Sequence, residues 1–124
     1  MSATTLERQS TFLPLNRGYD RTFQSGRMTI GLVAPLENSG QNPVPAMQRH
    51  LERVQLAEQL GFSTVWLRDV PFHVPSFGDA GQLFDPFVYL GYLAGQTETI
   101  ALGVASVVLP MRHPAHVAKA KASA

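Results

Sequence analysis

Three apolar runs without polar alternation punctuate the chain: Met28 to Pro35, Ser63 to Leu67, and Ile100 to Pro110. An apolar run of this kind predicts either a strand covered on both faces or a buried helix. In the third run Gly103, the β-branched valines and the closing Pro110 decide for strand. Between the first two runs the pattern changes period. Met47, Leu51, Val54, Ala57 and Leu60 recur at three and four residues, which predicts a helix over Ala46 to Leu60. Gly61 suits the left-handed position just past that helix, and Phe62 can fold back on its last turn. Asp85-Pro86 is a helix start, with Asp as cap and Pro in the first turn. Phe87, Val88, Leu90, Leu93 and Ala94 supply the buried side of that helix. Gly91 and Gly95 make a GxxxG spacing that suits close helix–sheet packing, with a dimer contact as the alternative. His113-Pro114 opens a third helix, Ala115 to Ser123.

The order is strand, helix, strand, helix, strand, helix. Strand starts lie about thirty-five residues apart, the size of a βαβ unit. Breaker-rich loops, Leu36 to Pro45 and Pro71 to Phe84, follow the strands, and short turns precede them. A (β/α) barrel places its active loops this way, and a doubly wound open sheet shares the pattern. Residues 1–27 are polar and mixed and read as an irregular N-terminal arm, with 28–124 as the domain proper. Asn16 to Asp20 is a turn signal, and Phe12, Leu15, Tyr19 and Phe23 are the arm's anchors.

Composition narrows the function classes. The chain has 124 residues, 44% hydrophobic and only 15% charged, where about a quarter charged is usual. That deficit points to surface meant to be covered. Ten basic and nine acidic residues leave a formal charge of +1 without any charge block, so no nucleic-acid or membrane partner is expected. Cysteine is absent, which removes disulfides and thiolate metal sites and fits a cytoplasmic protein. No signal-peptide core or membrane-length apolar run is present.

Candidate chemistry is sparse. No GxGxxG or P-loop pattern occurs, and Ser106 lacks a nucleophile-elbow context. His113 and His116 stand at metal-compatible spacing, but helix capping is the simpler reading and no metal site is expected. Arg68 and Asp69, at the end of the second strand, are the charged catalytic candidates; a structural ion pair or cap is the competing role. His73 lies on the same loop. Asp79 and Asp85 read as loop and cap residues, and Trp66 as core rather than a cofactor stack.

Val65 to Phe72, Pro75 to Gly81, Phe84 to Ala94, and Ile100 to Gly103 through His113 to Ala118 resemble the bacterial luciferase-like monooxygenase superfamily, nearest its luciferase-type oxidoreductase branch. Val107 to Pro114 is the most specific piece. The resemblance implies an α/β fold: the N-terminal three β/α units of a TIM (β/α)8 barrel, incomplete here. It implies a flavin, FMN or alternatively F420, at the C-terminal strand ends, with a small organic substrate. It also implies a cis peptide at Ala105–Ser106 under the flavin ring, where small side chains let a flat ring approach, and places Pro35 and Leu36 at the rim. Many relatives end the second strand with Glu-His-His; here Asp69-Val70-Pro71 keeps the acid and loses both histidines. That favours oxidoreductase over luciferase-like aldehyde chemistry. A complete barrel takes about 250 residues, so a truncated, inactive fragment is expected. The alternative is a non-catalytic half-barrel that associates through exposed strand edges, as a homo-oligomer or with another chain.

Overall fold

The structure, a computed structural model, describes residues 13–36, 45–72, 76 and 83–123. In chain order these form α1 (Arg17–Thr22), β1 (Gly31–Ala34), α2 (His50–Gln59), β2 (Thr64–Leu67), α3 (Pro86–Ala94), β3 (Ala101–Val104), a 3-10 turn (Leu109–Met111) and α4 (Pro114–Ser123). The strands make one parallel sheet in the order β1-β2-β3. The expected alternation of strand and helix is therefore present.

Register defines two faces. Ala34, Leu67 and Val104 share one row, and Val33, Trp66 and Gly103 share the row below. Because side chains alternate along a strand, successive rows point to opposite faces. Ala34, Val65 and Leu67 face α2 and α3 and pack with Val54, Ala57, Tyr89, Leu90, Leu93 and Ile100. Val65 and Leu93 have no exposed surface, and full burial of such side chains is worth about 1.5–3 kcal/mol each. Inside this layer His50 Nδ1 and the Tyr89 hydroxyl are hydrogen-bonded at 2.8 Å. Burial, with Tyr92 nearby, pushes the Tyr89 hydroxyl up to about 12.

The ends of α2 and α3 follow the local rules. Gly61 has φ of 85°, Phe62 N–H donates to Ala57 O at 3.0 Å, and Gly61 N–H donates to Glu58 O at 3.0 Å. Those two bonds satisfy the last carbonyls of α2. Asp85 Oδ1 accepts from the N–H groups of Phe87 and Val88 at 3.0 and 3.2 Å, which caps α3.

Several expectations need correction. The third strand is not buried on both faces: the ladder covers only Ala101–Val104, and of these only Ala101 is buried. Helices α2 and α3 cover one face of the sheet, and the stretch beyond Ser106 turns into the 3-10 segment. Helix α2 begins at His50, not Ala46, because Met47 and Arg49 take left-handed backbone angles (φ 54° and 56°). Leu60 is exposed, although Leu51, Val54 and Ala57 keep the predicted stripe. Gly91 does not serve helix–sheet packing: a methyl built there meets nothing within 4 Å, and it lies on an outward face with exposed Val88 and Tyr92.

The arm is also more ordered than an irregular reading allows. Asn16 Oδ1 accepts from Tyr19 N–H at 2.9 Å and starts a short helix in place of the turn. Its anchors are small and polar rather than apolar. Thr22 Oγ1 meets Thr64 Oγ1 at 2.6 Å, Arg17 Nη2 donates to Glu98 O, and Gly18 sits against Ala101. Leu15 and Phe23 are largely exposed, and Phe12 lies outside the described residues. Thr64 and Ala101 share a register row, so α1 covers the lower end of the face that α2 and α3 leave open.

Candidate functional site

The sheet's last paired row is Ala34, Leu67 and Val104. The next residues along the strands are Pro35, Arg68 and Ala105, and then Leu36, Asp69 and Ser106. Ala105 N–H still donates to Leu67 O at 2.8 Å, so the ladder extends to this level. Pro35, Arg68 and Ala105 therefore follow directly on the last paired row, and Leu36, Asp69 and Ser106 come next in sequence. Asp69, two residues beyond Leu67 on the same strand, falls on the helix side. Leu36 packs against the core, and Asp69 is buried.

Two arginines outside that set hold the edge in place. Arg53, on α2, donates from Nη1 to Leu36 O at 2.6 Å and fixes the first strand's tip. Arg112 holds the other two. Its Nε donates to Asp69 Oδ2 at 2.8 Å and its Nη2 to Asp69 Oδ1 at 2.7 Å, a two-pronged pair. Asp69 Oδ2 also accepts from Val108 N–H at 3.0 Å. Arg112 Nη2 reaches on to Asp85 Oδ2 at 2.8 Å, and its guanidinium lies 5.4 Å from the centre of the Phe87 ring. The end of β2, the loop after β3 and the start of α3 are thus tied at one cation.

Protonation follows from these contacts. The hydrogen bonds from Arg112 hold the Asp69 carboxyl below its ordinary value against the opposing effect of burial, aided by the Val108 N–H. For Asp85 burial is the largest influence and acts upward; the Arg112 bond and the two cap N–H groups outweigh it, so the carboxyl is lowered. Arg112 is raised, chiefly by its bond to Asp69, and stays charged. Both Asp69 oxygens are occupied, so this carboxylate is built as an anchor, the ion-pair role that sequence left open beside catalysis.

Both peptide bonds at the edge of the outer strands are cis: Ala34–Pro35, and the non-proline bond Ala105–Ser106 that the resemblance implied. Ala105 and Ser106 are exposed, so their backbone is accessible from the open side. Arg68, half-buried, lines a crevice with Pro35, Phe84 and Tyr89. Trp66 is not part of the helix-packed core. It lies on the opposite face, two rows below Arg68, with its six-membered ring against Gly103 and its Nε1 edge against Gly31. His113 Nδ1 accepts from Ala115 N–H at 3.2 Å, which is the capping role, and its ring stands edge-on to His116 at 5.6 Å. Among the described residues no group of three or more His, Cys, Asp or Glu is placed to hold a metal, and no helix is long and apolar enough to cross a membrane. His73 and Asp79 lie outside the described residues.

Sequence reasoning missed Arg112 as a partner, although it is the first charged residue after Glu98 in an otherwise uncharged stretch. It also missed Glu58. That side chain leaves α2 to accept, on Oε1, the backbone N–H groups of Glu98 at 2.9 Å and Ile100 at 2.8 Å, the N–H of Thr99, and the Thr99 hydroxyl at 3.2 Å. Burial acts upward on this carboxyl, but the bonds from Ile100, Thr99 and Glu98 prevail and lower it.

A family model described as luciferase-like monooxygenase matches residues 28–124. Among individual proteins, the alkanal monooxygenase alpha chain of Photorhabdus laumondii is 38% identical over 68 residues, covering 55% of this chain and 18% of that one. The uncharacterized protein YceB of Bacillus subtilis is 33% identical over 82 residues, covering 66% of this chain and 23% of that one. The 4-hydroxyprotoasukamycin monooxygenase of Streptomyces nodosus subsp. asukaensis is 29% identical over 93 residues, 74% of this chain and 24% of that one. The chain therefore spans no more than about a quarter of the length of these relatives. No solved structure matches it.

Proposed function

Since the chain belongs to the luciferase-like monooxygenase family, we propose that it forms the first wall of a flavin-dependent (β/α) barrel oxidoreductase, of the monooxygenase type. Reduced FMN is the expected cofactor, with F420 as the alternative, and a small organic molecule is the substrate. When bound, the flavin supplies electrons and the reaction with dioxygen. This chain's residues supply shape and position. The exposed, small Ala105 and Ser106 leave a stretch of backbone that a flat ring system can lie against, and Pro35 and Leu36 border it. Arg68, which follows the last paired residue of β2, is the candidate to meet an anionic or electron-rich atom of the ligand. Asp69 enters as a positioning residue, because its oxygens are already held by Arg112 and Val108. The observation that supports the reading is that Pro35, Arg68 and Ala105 directly follow the last paired row of a parallel sheet, at the end where such sheets bind ligands. Turnover belongs to the complete barrel, so residues 1–124 by themselves are expected to bind FMN weakly and not to turn over.

The test is an anaerobic titration of the complete protein with FMN, FMNH2 and F420, followed by oxygen uptake with the reduced flavin that binds. Saturable binding of one of them, weakened at least tenfold by replacing Ser106 with a bulky residue such as Trp, is the expected result. A complete, folded protein that binds none of the three overturns the reading.

A second reading draws on the open edge and face. Met28, Ile30 and Val33 are 87%, 60% and 55% exposed along the β1 side of the sheet, an apolar margin that a further strand would cover. On that reading residues 1–124 are a non-catalytic module that pairs with a second copy. Light scattering after size exclusion gives a defined dimer if it holds and a monomer if it does not.

A further inference from the structure

The face of the sheet away from α2 and α3 carries one large side chain two rows beneath Arg68 and Ala105. Trp66 occupies the middle strand, opposite Val33 and Gly103. Its indole is laid across the sheet rather than standing from it. A Cβ built on Gly103 falls 2.5 Å from Cζ3 and 2.6 Å from Cε3 of the ring. A Cβ on Gly31 falls 3.1 Å from Nε1. Both neighbouring strands therefore offer a glycine where the ring passes, and any larger residue at Gly103 must displace it. Below this row α1 closes the face through Thr22 and Gly18, against Thr64 and Ala101. Above it, two residues along each strand and so about 7 Å higher, stand Arg68 and Ala105. The indole itself is half-buried.

We propose that Trp66 is the specificity-determining floor of the ligand cavity, seated in sockets made by Gly31 and Gly103, and that it sets how deep an apolar part of the organic substrate descends. The proposal rests on the reading that ligands bind at this end of the sheet. It differs from that reading in naming the residue that selects substrate length and in giving it no contact with the reacting atoms. An aromatic surface gives an apolar chain or ring a large contact area at little entropic cost. Removing the indole deepens the cavity. Adding a methyl at Gly103 lifts the ring and makes the cavity shallower.

The experiment uses the complete protein and the variants W66F, W66A and G103A. Each is titrated calorimetrically with straight-chain alkanols of increasing length, with and without FMN. Trp66, the one tryptophan in residues 1–124, is itself a reporter, and the W66F difference spectrum should show its emission shifting to the blue as an alkanol covers it. The expected result is a change in length preference. W66A continues to gain about fourfold in affinity with each added methylene beyond the length at which the unaltered protein stops gaining. G103A stops gaining at a shorter chain and loses about tenfold for the longest. FMN affinity in W66F and G103A stays within about twofold. Parallel length profiles in folded variants overturn the proposal, as does a loss of FMN affinity equal to the loss of alkanol affinity, which would make the indole a flavin platform. If W66A does not fold, W66F and G103A decide the matter. If no flavin binds to any form, the function proposed above fails, and the alkanol profiles without FMN still judge the floor.

Discussion

The two ends of β3 are each held by a carboxylate from elsewhere in the chain, and the two are built differently. At the entrance, Glu58 collects three consecutive backbone N–H groups, of Glu98, Thr99 and Ile100, on one oxygen. At the exit, Asp69 takes a single backbone N–H and otherwise binds a side-chain cation, Arg112. The first arrangement fixes the path of the main chain directly. The second fixes it through a charge that also answers to Asp85 and Phe87. The candidate site lies at the second end. The strand that leads to Ala105 and Ser106 is thus tied by its own backbone where it begins and through a shared cation where it ends.

The largest effect should come from breaking the exit. Asp69→Ala leaves Arg112 without its buried partner, and loss of one member of a buried pair costs about 3–5 kcal/mol. Urea unfolding should show a large drop in midpoint, and hydrogen exchange should accelerate at Val108 while Ile100 keeps its protection. Equal acceleration at both amides would erase the distinction between the two ends.

Breaking the entrance should cost less. Glu58→Gln keeps an acceptor and loses the charge, at roughly 1–2 kcal/mol for charge-assisted bonds made neutral. Here exchange should quicken at Glu98, Thr99 and Ile100 and leave Val108 alone. Protection at Val108 that falls with the Glu58 change would show that the two clamps act as one.

The smallest effect is on pH dependence. Both carboxyls are lowered in the folded state, Asp69 from an ordinary value of 3.8 and Glu58 from 4.5. Their contribution is complete above those values and is lost as pH falls through the lower folded ones, so stability rises with pH across the acid window. The urea midpoint should fall as pH drops from about 5 toward about 3. Asp69→Asn should flatten that slope more than Glu58→Gln does, since Asp69 is the more buried of the two. An unchanged slope in Asp69→Asn would place the acid sensitivity elsewhere.

What sequence could and could not show follows from the range of the interactions. The order of strands and helices was legible because apolar period and capping residues act within a few positions: Asp85-Pro86 starts α3 and Gly61 ends α2. The candidate residues could be named because strand ends in such a pattern gather function, and the resemblance supplied the cis bond. Trp66 was misplaced because Thr64 to Leu67 shows no polar alternation, so nothing local says which side is which. Its sockets, Gly31 and Gly103, are glycines more than thirty positions away on either side. Arg112 and Asp69 lie 43 positions apart and Glu58 and Ile100 lie 42 apart. Pairings that distant are fixed by the packed chain and leave no periodic trace. The arm's helix was missed because six residues with a glycine among them make a poor helix until Thr64, Ala101 and Glu98 receive it.

Asp85 divides its labour: one oxygen starts a helix and the other steadies a cation. Fraying at the head of α3 therefore withdraws a counter-charge from Arg112, and whatever loosens Arg112 leaves that helix with a less tethered first residue. A ligand that presses on the loop beyond Ser106 would be felt on the far side of the sheet, as a change in how readily the opening turn of α3 comes undone.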